Sequence, residues 1–229
     1  MATFTITPGK PLRGEITVPG DKSITHRALI LTALAEGVGT IKRYCRGEDC
    51  LNTMRALRAL GVTIDEADDA LHVQGKGLWG LTEPGAILDC GNSGTGIRLL
   101  TGLLAGQDFF TVLTGDASIR RRPMGRIVKP LREMGATIAG RKGGEFAPLA
   151  VTGTTLRGIT YASPVATAQI KSALLLAALF AKGTTRLSEP RLSRDHTERL
   201  FQFYGLPLKR EGLTLTMEGR PSIGWIAAP

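Results

Sequence analysis

Three stretches of this 229-residue chain repeat one pattern, and that repeat constrains the fold more than any other feature. Each stretch opens with an apolar helical run: HRALILTALAEG (26–37), GIRLLTGLLAG (96–106) and IKSALLLAALFAKG (170–183). A short strand follows, TIKRY (40–44), TVLTG (111–115) or TTRLSE (184–189). Next comes an amphipathic helix that stops at Gly61, Gly135 or Gly205, positions 74 and 70 residues apart. Glycine just past a helix is the usual left-handed stop. Each unit closes with a pair of strands, over 61–75, 135–153 and 205–219. The expected fold is α/β, a threefold repeat of a βαβαββ unit, with repeats over about 20–80, 81–155 and 156–220.

The two helix types predict the architecture. A run such as SALLLAALFA is apolar on nearly every face, and a helix of that kind is stable only when buried all round. The second helices, such as EDCLNTMRALRAL, carry charge on one side and belong nearer the surface. Three buried helices from equivalent units should pack together at the centre, with the sheets outside and the helix N-termini at one end. Residues 1–19 alternate like a strand pair (Phe4 and Ile6, then Ile16 and Val18) but belong to none of the units; the substrate-binding domain built of the three repeats is expected over 20–229. GRPSIGWIAAP, at the other end, stops after the third unit without a helix, as half of a larger arrangement would.

A shared helix end is where chemistry is expected. Gly20-Asp21-Lys22-Ser23 stands before the first apolar run, with Arg27 one turn inside. Gly91-Asn92-Ser93-Gly94-Thr95 stands before the second, with Arg98 one turn inside; Ala166-Thr167-Ala168-Gln169 stands before the third, with Lys171 close behind. Helix N-termini offer unpaired N–H groups and a partial positive charge, so three of them together suit an anion. Ser23, Asn92 and Thr167 are also ordinary N-cap residues, and that plainer role stays open for each. Gly94 lets a ligand approach the backbone closely. Arg122 and Arg194 stand thirteen and eleven residues before the helix-end glycines, nearly the same slot, where unit one has Glu48 and Asp49. Arg122 abuts Pro123, taken as the start of the next helix, and an arginine so held suits bidentate binding of carboxylate or phosphate. Arg120 and Arg121 read as a solvated face.

Composition narrows the partner. With 29 Lys and Arg against 20 Asp and Glu, the net charge is +9, so an anionic partner is expected. Aromatics are only 5% and do not interleave with the basic residues, which argues against stacking on nucleic-acid bases; a basic nucleic-acid-binding domain is the alternative. The longest apolar run, Ala173 to Ala181, is nine residues, so no membrane span is expected. Three cysteines, none beside a histidine at ligand spacing, argue against a disulfide scaffold or a zinc site and fit a reducing cytoplasm. His26 and His72 read as packing or surface histidines, His196 as a residue behind Arg194, and Cys90 as a small buried hydrophobe.

Four segments carry a family likeness: VPGDKSITHRALILTALAEG, LDCGNSGTGIRLLTGLLAG, TGDASIRRRPMGRIVKPLREMGA, and ATAQIKSALLLAALFAKGTT with RDHTERL. Together, in order, they resemble the N-terminal half of the 5-enolpyruvylshikimate-3-phosphate synthases, within the enolpyruvyl-transferase family and its inside-out α/β barrel. The branch acting on UDP-N-acetylglucosamine has Lys-Asn where Lys22-Ser23 stands, and generally a reactive cysteine in the loop held here by Asp116 to Arg122. Neither trait appears, so the shikimate branch is favoured.

The resemblance implies a two-domain enzyme that closes on shikimate 3-phosphate and phosphoenolpyruvate, transfers the enolpyruvyl group to the 5-hydroxyl through a tetrahedral intermediate and releases phosphate. It implies no metal and no organic cofactor. Lys22, Ser23, Arg27, Thr167, Ala168, Gln169 and Arg194 match shikimate 3-phosphate positions, with threonine at 167 in place of the usual serine. Lys22, Asn92, Gly94, Arg122 and Gln169 match the phosphoenolpyruvate side, where glyphosate competes, and Lys22 is the catalytic candidate. The family's acid/base groups lie in a C-terminal domain, with which residues 1–19 would pair. The chain is therefore expected to bind shikimate 3-phosphate but not to turn over alone.

Overall fold

The structure, a computed structural model, describes residues 3–5, 7, 9, 11 and 13–219. Unit one runs α1 (Lys22–Leu34), β1 (Glu36–Lys42), α2 (Glu48–Ala59), β2 (Thr63–Ala67) and β3 (Ala70–Lys76). Unit two runs β4 (Leu88–Asp89), α3 (Gly94–Leu104), β5 (Phe110–Thr114), α4 (Gly125–Glu133), β6 (Thr137–Gly140), the single turn α5 (Arg141–Gly144) and β7 (Phe146–Thr152). Unit three runs β8 (Thr160–Ala162), α6 (Ala168–Ala178), β9 (Thr184–Ser188), α7 (His196–Phe203), β10 (Leu208–Glu211) and β11 (Thr214–Glu218).

The sheets repeat the same wiring. Their strand orders are β1-β3-β2, β4-β5-β7-β6 and β8-β9-β11-β10, so the strand after each central helix pairs with the last strand of its unit. Each of those pairings is antiparallel, with Thr40 opposite His72, Val112 opposite Ala150 and Thr216 opposite Arg186. Units two and three carry the expected βαβαββ order, and their first strands β4 and β8 pair in parallel with β5 and β9. Unit one differs: among the described residues no strand precedes α1, and its sheet has three strands. Leu88 of β4 is buried, whereas Ile16 and Val18 are 88% and 69% exposed, so nothing draws the segment before α1 against β1. Ile6 and residues 220–229 lie outside the described residues.

The helix stops follow the sequence closely. Gly61, Gly135 and Gly205 take φ of 89°, 99° and 65°, the left-handed region where a side chain is strained. The residue after each glycine donates its N–H back across the last turn, Val62 to Leu57 O, Ala136 to Leu131 O and Leu206 to Phe201 O. These bonds satisfy carbonyls that a helix end would otherwise orphan. The strand pair expected over 135–153 is β6 and β7, antiparallel with Thr137 opposite Thr152, and Lys142 and Gly143, at φ of 50° and 70°, make the reversal between them.

The core lies where the apolar runs place it. Leu29, Ile30 and Leu31 of α1, Ile97 to Leu104 of α3 and Ile170 to Ala178 of α6 are buried, with only Arg98 half-exposed among them. At Gly102 the α3 backbone runs against α6: an added Cβ would stand 2.2 Å from Ala173 O. The three helices also meet at their N-terminal ends. Arg27 of α1 donates to Ser172 Oγ of α6 at 2.7 Å, and Gln169 of α6 donates to Thr95 Oγ1 of α3 at 3.2 Å.

Candidate active site

Two of the helix ends are capped by near neighbours of the residues expected, Asp21 two before Ser23 and Ser93 one after Asn92. Asp21 caps α1 by accepting from Ile24 N at 2.8 Å, and Ser93 caps α3 by accepting from Gly96 N at 2.9 Å. Ser23 and Asn92 are thereby released from capping. Thr167 occupies the N-cap position of α6 but makes no side-chain cap bond. One turn in, each helix repeats one device. Arg27 donates to Ser23 O at 2.7 Å, Arg98 to Gly94 O at 3.0 Å, and Ser172 to Ala168 O. The pseudo-symmetry therefore reaches side chains, and it sets two guanidinium groups at the shared end.

Around Gly94 lies one group of candidates. A Cβ on Gly94 would stand 2.9 Å from Arg98 NH1 and 2.9 Å from Arg122 NH1, so two cations close over a position without a side chain. Arg122 donates to Asn92 Oδ1 at 2.6 Å and to Ser118 Oγ at 3.2 Å, and Asn92 donates to Asp116 Oδ2 at 2.8 Å. Arg98 donates to Gln169 Oε1 and to Pro123 O, both at 3.0 Å. Burial, then the charges of Arg122 and Arg126, push the Arg98 guanidinium below its ordinary value. Hydrogen bonds from Ile119 N–H and Asn92, with the charge of Arg122, hold Asp116 below the usual carboxylate range. Pro123 does not start α4, which begins at Gly125. The backbone of Arg122 is fixed instead by the 3₁₀ turn Ile119–Arg121 and by the extended conformation required before proline.

A second group surrounds Arg27. This residue is 4% exposed, and its guanidinium meets only neutral partners: Thr197 Oγ1 at 2.7 Å, Ser172 Oγ and Ser23 O. Burial lowers it to about 10 against the attraction of Glu198. Arg194 is exposed at the head of α7, near enough to lower Arg27 further. Lys22 is half-exposed, and its Nζ pairs with Asp49 at 2.9 Å, which raises the ammonium above its ordinary value. The acidic slot of unit one thus serves to hold this lysine. Ala168 and Gln169 open α6, and Gln169 joins the two groups through Arg98 and Thr95.

Lys171 is not part of the open cationic end. Its side chain is 2% exposed and lies 2.8 Å from Glu189 Oε2 and 2.7 Å from Glu198 Oε1. Arg98 and Asp49 are the two side chains at this end whose contacts the sequence alone undervalues. The signal for Arg98 was its place four residues after Gly94, as Arg27 follows Ser23. His26 is a core histidine: it is fully buried, with Nδ1 2.8 Å from Thr53 Oγ1, and burial lowers it to about 4. Cys90 is buried and its thiol is pushed up to about 12.

Comparison with known proteins fits these observations. The family model for EPSP synthase (3-phosphoshikimate 1-carboxyvinyltransferase) matches residues 6–225. The 3-phosphoshikimate 1-carboxyvinyltransferase of Pelobacter propionicus is 56% identical over 219 residues, 96% of this chain and 51% of that protein. That of Brevibacillus brevis is 54% identical over 210 residues, 92% of this chain and 49% of that protein. A solved EPSP synthase from Acinetobacter baumannii superposes with a TM-score of 0.88 at 44% identity, covering 92% of this chain and 48% of that one. The chain spans about half the length of the curated relatives it matches. With a threefold α/β repeat, a polar end shared by its buried helices, and a family match along nearly its whole length, the chain belongs to the EPSP synthase family.

Proposed function

We propose that these 229 residues form the shikimate 3-phosphate-binding half of an enzyme that transfers the enolpyruvyl group of phosphoenolpyruvate to the 5-hydroxyl of shikimate 3-phosphate and releases phosphate. The observation that carries this is the pair of guanidiniums, Arg98 and Arg122, closing over Gly94 beside a separate group of Lys22, Ser23, Arg27, Thr167, Ala168, Gln169 and Arg194. Two polyanionic substrates need two such groups within reach of one another, and Gln169 spans them.

In this scheme Ser23, Arg27, Thr167, Ala168, Gln169 and Arg194 hold shikimate 3-phosphate. Arg27 binds with the N–H groups left over from its internal bonds. Asn92, Gly94 and Arg122 hold phosphoenolpyruvate, and glyphosate competes there. Lys22, kept protonated by Asp49, offers its remaining N–H groups to the developing negative charge. The 5-hydroxyl gives its proton to a base as its oxygen adds to C2 of phosphoenolpyruvate and C3 takes a proton from an acid; C3 then loses a proton as the bond from C2 to the phosphate oxygen breaks, restoring the double bond and releasing phosphate. No free carboxylate stands at this mouth among the described residues: Asp21 caps α1, Asp49 pairs with Lys22, and Asp116 is held by Asn92. The acid and base therefore come from the other half of the enzyme, and these residues alone bind without turnover.

We assign the chain to the cytoplasm, with small-molecule partners rather than nucleic acid or a membrane surface. Among the described residues no helix is long and apolar enough to cross a membrane. Mixing the chain with a separately made C-terminal half and measuring phosphate release tests the assignment. Release only from the mixture is expected. Release from this chain alone, or none from a mixture that forms a complex, would contradict it.

A further inference from the structure

Lys171 is the unexplained charge of the central bundle. It lies on α6, a helix otherwise apolar from Ile170 to Ala178 apart from Ser172, and burying an ammonium there is costly unless it is well paired. Both of its partners reach towards the candidate site. Glu189, just past β9, accepts the backbone N–H of Thr167 at 3.1 Å and the hydroxyl of Ser193 at 2.7 and 2.9 Å. Ser193 is the neighbour of Arg194. Glu198 lies on α7 beside Thr197, whose hydroxyl receives Arg27 and meets Ser172 at 2.6 Å. All four charges are buried: Arg27 and Lys171 against Glu189 and Glu198, a balanced set. The second oxygen of Glu198 has no hydrogen-bond partner, so Lys171 is the group that keeps this carboxylate tolerable.

We propose that Lys171 is a positioning residue for the shikimate 3-phosphate subsite: clamped between Glu189 and Glu198, it locks the Thr167–Gln169 segment and the Arg194 loop into one shape. This rests on the function proposed above. Removing the ammonium leaves two buried carboxylates against one guanidinium. Glu189 then turns outward to water, releasing Thr167 N–H and Ser193 together. A compensating change follows from the same count. Lys171→Met with Glu189→Gln restores the balance of Arg27 against Glu198, and the amide oxygen still accepts from Thr167 and Ser193.

The test uses the full chain below its melting temperature, so that only folded protein is compared. In Lys171→Met, calorimetry should show the dissociation constant for shikimate 3-phosphate raised at least about tenfold. Hydrogen exchange should quicken over 163–169 and 190–195 but not over β5 and β7. The Lys171→Met/Glu189→Gln double variant should regain most of both. A folded Lys171→Met with wild-type exchange in the two segments, or with a dissociation constant within about twofold of wild type, would overturn the proposal, because a purely structural lysine changes stability and not the folded-state affinity. Should Lys171→Met not fold, Ser193→Ala decides: faster exchange confined to 190–195 supports the tether through Glu189, and unchanged exchange there refutes it. If the wild type binds no shikimate 3-phosphate, the functional assignment fails, while the exchange measurements still decide whether Lys171 positions the two segments.

Discussion

Acid should destabilise this domain through His26. The ring is fully buried where α1, α2 and the cap of α3 meet, with Thr53 at Nδ1 and Ser93 Oγ 3.4 Å from Nε2. Burial lowers its pKa from 6.5 to about 4, with Arg27 and Lys22 adding to the effect and Asp49 opposing it. A histidine lowered on folding binds its proton more readily in the unfolded chain. Stability is therefore complete above the unfolded value and falls as pH drops from about 6.5 towards 4. The full loss across that window is about 3 kcal/mol, and about 2 kcal/mol of it falls between roughly pH 7 and 5, where most carboxylates stay ionised. Urea unfolding at a series of pH values measures it, with His26→Gln as the control that cannot titrate. The variant should be less stable at pH 7 but should lose the greater part of the pH 7-to-5 slope. Equal slopes in the two proteins would refute the assignment of a neutral, buried His26.

Other substitutions probe the packing and the mouth. Gly102→Ala drives a methyl against Ala173 O, backbone that cannot yield without parting α3 from α6, and should cost about 1–3 kcal/mol in urea unfolding; no loss would mean the helices are not so close. Gly94→Ala presses on the ends of two flexible arginines and stands in ordinary contact with Ile119 Cδ1 at 3.9 Å, so stability should stay within about 1 kcal/mol of wild type. In the assembled enzyme that same methyl should raise the glyphosate concentration needed for half-inhibition, and an unchanged value would place the inhibitor elsewhere. Asp49→Asn should lower the pKa of Lys22, followed by NMR of its ammonium, since the hydrogen bond that Lys22 donates to that carboxylate is the main cause of the rise.

The architecture was legible because it is written in local signals. An all-round apolar helix must be buried, a glycine must end each amphipathic helix, and a threefold repeat of both leaves few arrangements. Shared motifs then pointed to Lys22, Arg122 and Gln169 one residue at a time. What stayed hidden are partners far apart in the chain. Nothing near Lys171 announces that Glu189 and Glu198, 18 and 27 residues on, will cover it, and so it read as one more cation at an open helix end. Capping shifted by two positions in α1 and by one in α3 for a similar reason. Asp21 and Ser93 compete locally with Ser23 and Asn92, and the winner depends on where the helix begins within its bundle. By contrast, that residues 1–19 stand outside the units was legible: Ile16 and Val18 alternate like any strand yet join no sheet among the described residues.

The central claim, that the shared helix end binds shikimate 3-phosphate, is tested most directly by titrating that ligand into the chain and into Arg27→Met by calorimetry. The account predicts saturable heat at millimolar ligand or below for the wild type, with a loss of at least about tenfold in affinity in the variant. No heat from folded wild-type protein at millimolar ligand, or equal affinity in Arg27→Met, would contradict it.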